Sequence, residues 1–333
     1  MSSAKAFTFL PLGAIIQEFN VKGHNIVQGF PTAELYKKYN DPYFGETIGR
    51  IANRVSGAKI NDLNGKSYQL PVNNGPNSLH GGDQGWGKKE WEGPTTVERD
   101  GKEATLFKYT SVDGEEGYPG TVEVKVWYIQ EKEQADGVEK EVLHIEYEAE
   151  LVGDQVSETA LNITNHSYFN LSGAASIAGT EVTLITNKYQ VVDSGGIPTG
   201  PIEEYPGVTP NKAFTLGEKE PDIDDCFVAN PNSSSIPIDT RNEPLQKVAS
   251  FYHPDTKIHL EISTTEPGFQ FYTGKYIDVP AVEGLPARAA RSGFCVEPSR
   301  YVNAINIPEY KSQMVLKKGE KYGSKIVYRG WGA

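Results

Sequence analysis

Residues 121–151 read TVEVKVWYIQEKEQADGVEKEVLHIEYEAEL, and their period decides the fold. In 121–129 valine recurs at Val122, Val124 and Val126, with Glu123 and Lys125 between; 141–151 (EVLHIEYEAEL) alternates in the same way. An extended chain sends successive side chains to opposite faces, so period two marks a strand with one buried face. Working outward, 257–265 (KIHLEISTT) and 269–273 (FQFYT) follow the same rule. Turn signals separate such runs: Asn64-Gly65 precedes 66–70, and Asp100-Gly101 precedes a further run. Helical periodicity is nearly absent. Only 31–39 (PTAELYKKY), with Pro31 at its start, suggests a turn or two of helix. The chain shows no βαβ rhythm, no G-x-G-x-x-G leading into a helix, no P-loop, no internal repeat and no low-complexity tract. The stretch 230–243, rich in Pro, Ser and Asn, reads as a surface loop. The expected fold class is therefore all-β, a large antiparallel β-sandwich in a single domain over 1–333.

Composition narrows the function classes. The chain has 32 Lys+Arg against 44 Asp+Glu, a net charge of −12. Such a surface repels nucleic-acid phosphates and anionic lipid, whereas a neutral small molecule is indifferent to it. An apolar run over 7–16 is broken by Pro11 and Gly13 and lacks a basic leader, so it reads as a first strand. No stretch approaches the ~18 apolar residues of a membrane-spanning helix. Cys226 and Cys295 are too few for a disulfide framework or a zinc site and read as small buried hydrophobes in a reducing, cytoplasmic compartment. Of the N-x-S/T sequons at Asn162, Asn165, Asn170 and Asn232, three crowd into one segment that reads as core-lining strand, where a glycan would not fit.

Polar residues concentrate among aromatics and glycines in 49–54 (GRIANR), 73–82 (NNGPNSLHGG), 161–173 (LNITNHSYFNLSG), 264–274 (TTEPGFQFYTG) and 293–297 (GFCVE). His80 stands before Gly81-Gly82, glycines that let a backbone approach a ligand. His166 sits in a strand-like run beside Asn165 and Tyr168. Each reads either as a core histidine or as part of a site. His24, His144, His253 and His259 read as structural or exposed. With no H-E-x-x-H and no third close-spaced ligand, no metal site is expected. Glu297 follows an apolar lead-in, and desolvation would raise its pKa and improve it as a base. Its alternative role is a salt bridge to Arg300 or Arg54. Asp224 reads as a turn-capping residue or a ligand. Arg54 and Gln270 suit sugar hydroxyls but also suit an ordinary surface. Trp91 reads as core, and Trp86 as core or as a sugar-stacking ring.

Taken together, these segments resemble the aldose 1-epimerase (galactose mutarotase) family, in family order and from Gly49 to about Asn306. The resemblance implies a mutarotase-like supersandwich with its sugar site on a concave sheet and no cofactor. By motif match, Glu297 falls on the general base and His166 on the general acid. His80, Asn53, Arg54, Asp224 and Gln270 fall on substrate-binding positions. The match is weakest at Asp224-Asp225-Cys226-Phe227, where either aspartate could be the binding residue, and Glu297-Pro298 departs from the family's usual Glu-Thr. The implied reaction interconverts the α and β anomers of free hexoses such as glucose and galactose, with an ionised Glu297 and a protonated His166. A monomer or homodimer is expected. Three rivals follow from the same residues. A hexose-6-phosphate epimerase would use Arg288, Arg291 and Arg300 for phosphate. A carbohydrate-binding sandwich would need neither His166 nor Glu297. A glycoside hydrolase would need a second carboxylate.

Overall fold

The period-two runs become the longest strands of the computed structural model, which describes residues 6–135, 137–232, 236–282 and 284–332. Thr121–Ala135 and Val138–Val152 pair antiparallel along their full lengths, with Val122 opposite Leu151 and Tyr128 opposite Ile145. Among the described residues they belong to a nine-stranded sheet, in the order Phe214–Thr215, Glu181–Leu184, Gln246–His253, Ile258–Thr264, Lys321–Gly332, Val138–Val152, Thr121–Ala135, Lys102–Ser111 and Glu92–Arg99. A second sheet has six strands, ordered Tyr168–Phe169, Phe294–Ser299, Gly268–Tyr272, Asp224–Val228, Lys188–Val192 and Pro198–Glu204. Neighbouring strands in both sheets run antiparallel.

The two sheets share one core. Val122, Val124, Val126, Leu143, Ile145 and Tyr147 of the larger sheet are buried in a cluster with Phe227, Phe269, Phe271, Phe294 and Val296 of the smaller. Phe251 bridges the sheets, stacked on Phe294 with ring centroids 4.3 Å apart. Each such side chain stabilises the fold by about 1.5–3 kcal/mol when fully buried, which pins the register of both sheets. In the smaller sheet that register has a consequence. Because Phe269, Phe271, Phe294 and Val296 face the core, alternation turns Gln270, Tyr272, Cys295 and Glu297 to the opposite face.

Local signals are met with two adjustments. Asn64-Gly65 joins Lys59–Leu63 to Lys66–Gln69, and Asp100-Gly101 joins Glu92–Arg99 to Lys102–Ser111. The helix is Ala33–Tyr39, with Thr32 as its N-cap accepting from Leu35 N–H, so Pro31 lies before the cap. The first strand expected over 7–16 is instead two antiparallel strands, Phe7–Leu10 and Ile15–Val21, because Pro11 and Gly13 fall in a turn between them. Within the expected 230–243 loop, residues 233–235 lie outside the described residues. Asn162 and Asn165 are wholly buried, so neither sequon is open to a glycan in the folded protein. Among the described residues, no helix is long and apolar enough to cross a membrane.

Candidate active site

Three adjacent strands write the floor of a cleft. Across Asp224–Val228, Gly268–Tyr272 and Phe294–Ser299, Cys226 pairs with Gln270 and Gln270 with Glu297. One pleat along, Asp224 pairs with Tyr272, Tyr272 with Cys295, and Cys295 with Tyr168. Residues directly opposite in a sheet project to the same side, so these two rows form one polar face. Gln270 Nε2 donates to Asp224 Oδ1 at 2.7 Å, while Gln270 Oε1 is buried without a protein donor. A buried acceptor in that condition is disposed to take a ligand hydroxyl.

Loops supply the wall. Asn53 and His80 clamp each other: His80 N–H donates to Asn53 O at 3.1 Å, and Asn53 N–H donates to His80 Nδ1 at 3.2 Å. Asn53 Oδ1 then accepts from Arg54 Nη1 at 3.3 Å, and Asn74 Oδ1 accepts from Arg54 Nε at 3.1 Å. Gly196, at φ +74, lies flat against the same guanidinium; a Cβ there would sit 2.8 Å from Arg54 Nε. Asn73 and Asn77 brace the turn itself, Asn73 bonding both backbone groups of Leu79 and Asn77 accepting from Gly57 N–H. His166 stands between wall and floor. Its ring is perpendicular to that of His80 at 5.0 Å and tilted against Tyr168 at 5.1 Å. Tyr43 closes on both histidines, at 4.9 and 5.6 Å, with Lys88 over its outer face.

The cleft has a volume of about 1380 Å³ and is lined by His80, His166, Asn53, Arg54, Asp224, Gln270 and Glu297 among others. All seven residues singled out in the sequence therefore converge on one place. His166 Nε2 lies 3.5 Å from Glu297 Oε2, and both side chains are buried. Burial raises the Glu297 carboxyl to about 8; the Asp224 carboxylate adds to this and Arg54 opposes it. Burial lowers the His166 imidazole to about 3. His80 is likewise held well below its usual range by burial, reinforced by His166, Arg54 and Lys88. Both shifts run against the expected pairing of an ionised Glu297 with a protonated His166. Desolvation penalises both charges, which favours the neutral carboxyl and the neutral imidazole.

His80, His166 and Glu297 place ligand atoms within 4.8 Å of one another, a spacing that would suit a metal. The tautomer of His80 argues otherwise. Its Nδ1 accepts a backbone N–H, so the ring proton is on Nε2 and the remaining nitrogen is a donor without a free lone pair.

Several sequence alternatives are resolved. Asp225 faces away from the cleft, on the Tyr205 side, and Asp224 faces into it. Arg300 forms an ion pair with Glu266 at 3.2 Å, not with Glu297. Arg288 donates to Gly29 O, and Arg291 to Gly217 O and Pro221 O, so neither reaches the cleft. Gly81 serves a backbone crossing and not a ligand: a Cβ there would sit 1.9 Å from Gly49 O. Trp86 joins Trp91 in the core. The sequence reading missed Tyr43, Tyr168, Tyr272 and Cys295. Only the period of the Phe294–Ser299 strand, which sets Cys295 two residues before Glu297, hinted at the last.

The family model described as aldose 1-epimerase matches residues 3–329. The bifunctional protein GAL10 of Pachysolen tannophilus is 40% identical over 325 residues, 95% of this chain and 44% of that protein. The chain thus spans less than half the length of the GAL10 relatives it matches. The galactose mutarotase of Sus scrofa is 38% identical over 308 residues, 90% of this chain and 82% of that protein. Among solved structures, the GalM/aldose epimerase homologue from C. elegans superposes with a TM-score of 0.81 at 26% identity, covering 98% of this chain and 95% of its own. The galactose 1-epimerase of Lactobacillus acidophilus NCFM, at 22% identity and a TM-score of 0.78, covers 99% of this chain and 93% of its own and shares the fold.

Proposed function

The chain belongs to the aldose 1-epimerase family, and from that premise we propose that its cleft interconverts the α and β anomers of free aldohexoses, glucose and galactose among them, without a cofactor. The observation that carries this reading is the His166–Glu297 pair, an imidazole nitrogen and a carboxyl oxygen facing each other at 3.5 Å in a cleft otherwise furnished for hydroxyl groups.

Ring opening requires removal of the proton on O1 and delivery of a proton to O5. In the resting pair the proton is on Glu297. Sugar hydroxyls packed beside Arg54 and Glu297 stabilise the carboxylate, so that in the bound pair Glu297 is ionised and His166 carries a second ring proton. Glu297 then takes the O1 proton while His166 gives its proton to O5. The C1–O5 bond breaks, C1=O1 forms, and the aldehyde is free to rotate about C1–C2. Reclosure on the other face of C1 returns both protons with the roles reversed. Arg54, His80 Nε2–H and the Gln270–Asp224 pair hold the remaining oxygens through charged and neutral hydrogen bonds.

A phosphorylated hexose is the less favoured substrate. Among the described residues lining the cleft, Arg54 is the sole Lys or Arg, against Asp41, Asp193, Asp224, Asp278 and Glu297. The three arginines that would have served a phosphate are engaged elsewhere. A cytoplasmic setting, and a monomeric or homodimeric state, belong to the same proposal. The setting is supported by two buried, unpaired cysteines and the buried Asn162 and Asn165. Polarimetry of freshly dissolved α-glucose and α-galactose, with and without the protein, tests the function. Acceleration of neither would refute it, and release of reducing sugar from a glycoside would point to a hydrolase.

A further inference from the structure

The imidazole of His166 is bracketed by a single strand. Cys295 and Glu297 are two residues apart on Phe294–Ser299, hence on one face and about 6.6 Å apart along it. Glu297 Oε2 lies at Nε2, and Cys295 Sγ lies 3.5 Å from Nδ1. Beside the sulfur stands Tyr168, paired with Cys295 in the sheet. The groups around the ring are thus Tyr43, His80, Tyr168, Cys295 and Glu297, with Lys88 beyond Tyr43.

We propose that Cys295 is a positioning residue for His166: its S–H donates to Nδ1, fixes the ring proton on Nε2 toward Glu297, and sets the acidity of the imidazolium. The directions follow from the chemistry of the neighbours. Sulfur is a weak acceptor, so the thiol's favourable role toward a ring nitrogen is as donor. The thiol is wholly buried and close to Glu297, which keeps it protonated. The strongest acceptor within reach of its proton is the imidazole nitrogen. Histidines in acid–base sites commonly have a carboxylate or carbonyl at this second nitrogen, which stabilises the imidazolium. A thiol does not. When His166 takes up a proton, its Nδ1–H meets the thiol and the ring's own backbone carbonyl, which offsets burial only in part, so the imidazolium remains a strong acid. On the proposed reaction, that is the useful direction, because the ring oxygen of a sugar is a very weak base.

The experiment is 15N NMR of the 333-residue chain labelled at histidine, with the His166 resonances assigned by their loss in His166→Gln. The expected wild-type spectrum has an unprotonated Nδ1 and a protonated Nε2 at neutral pH. Cys295→Ala should mix the tautomers and lower kcat about ten-fold with KM little changed, and Cys295→Ser should restore both the tautomer and most of the turnover. A protonated Nδ1 in the wild type, or a Cys295→Ala protein with wild-type tautomer and kcat, would overturn the proposal. If Cys295→Ala does not fold, the wild-type spectrum and the serine variant decide. The spectrum is recorded without sugar, so the tautomer stands or falls separately from the mutarotase reading, on which only the kcat effect depends.

Discussion

His166 Nε2 and Glu297 Oε2 face each other at 3.5 Å, both side chains buried at the floor of the cleft. Neither is held there by local sequence. Glu297 is carried in by the register of the smaller sheet. His166 is fixed by its backbone, its N–H bonded to Glu46 O and its carbonyl accepting from Gly45 N–H. One mobile proton between two buried groups is the chemical content of the site, and the following expectations derive from it.

Glu297→Gln keeps the size and burial of the side chain and removes the carboxylate. Turnover in polarimetry should fall at least ~100-fold, the lower end of what a positioned acid or base supplies. Sugar affinity should change little. Near-wild-type turnover would remove Glu297 from the role.

The same variant should alter stability in a pH-dependent way. In the folded protein Glu297 holds its proton up to about pH 8, far above an unfolded carboxyl at ~4.3. Its contribution to stability is therefore full below the unfolded pKa and is lost as pH rises through the folded one. Glutamine cannot ionise. Glu297→Gln should match the wild type in Tm near pH 4 and gain on it progressively toward pH 8, by at most about 1.4 kcal/mol per pH unit. His166, lowered to about 3, behaves oppositely: the wild type loses stability as pH falls from ~6.5, and His166→Gln should escape that loss. Parallel melting curves for all three proteins would contradict both statements.

Asp224 and Asp225 make an internal control. Asp224 accepts from Gln270 in the cleft, and Asp225 turns toward Tyr205 outside it. Asp224→Ala should raise KM about ten-fold or more, the cost of losing a charged hydrogen bond at ~1.5–3 kcal/mol. Asp225→Ala should leave KM within about two-fold. The reverse ranking in steady-state kinetics would place the binding aspartate wrongly.

A cleft with Arg54 among four aspartates besides Glu297 should discriminate against added negative charge. Glucose 6-phosphate should show a kcat/KM at least about ten-fold below that of glucose, with the gap narrowing as salt screens the field. Equal efficiency for the two substrates would revive the phosphate reading.

Arg54 is stapled by Asn53 and Asn74 before any ligand arrives. Arg54→Lys retains the charge but not the planar fork. It should raise KM several-fold with a smaller effect on kcat, measured on the better of the two hexoses.

By itself the sequence determined the fold class and the family. Period-two burial in 121–151 is imposed residue by residue, and motif segments in order need no coordinates to be read. The family resemblance also named seven residues that line the cleft; six lie in the polar, glycine-rich segments, whereas Asp224 lies outside them and was left open against Asp225. Three matters were left to tertiary structure. The choice of Asp224 over Asp225 depends on which face of Asp224–Val228 meets the core, and that is fixed by Phe227 packing against the other sheet. The fate of Arg288, Arg291 and Arg300 depends on carbonyls and a carboxylate distant in sequence. The protonation of the His166–Glu297 pair depends on how completely both are desolvated. Burial and the approach of residues 131 positions apart are properties of the closed fold, and no local pattern in the chain encodes them.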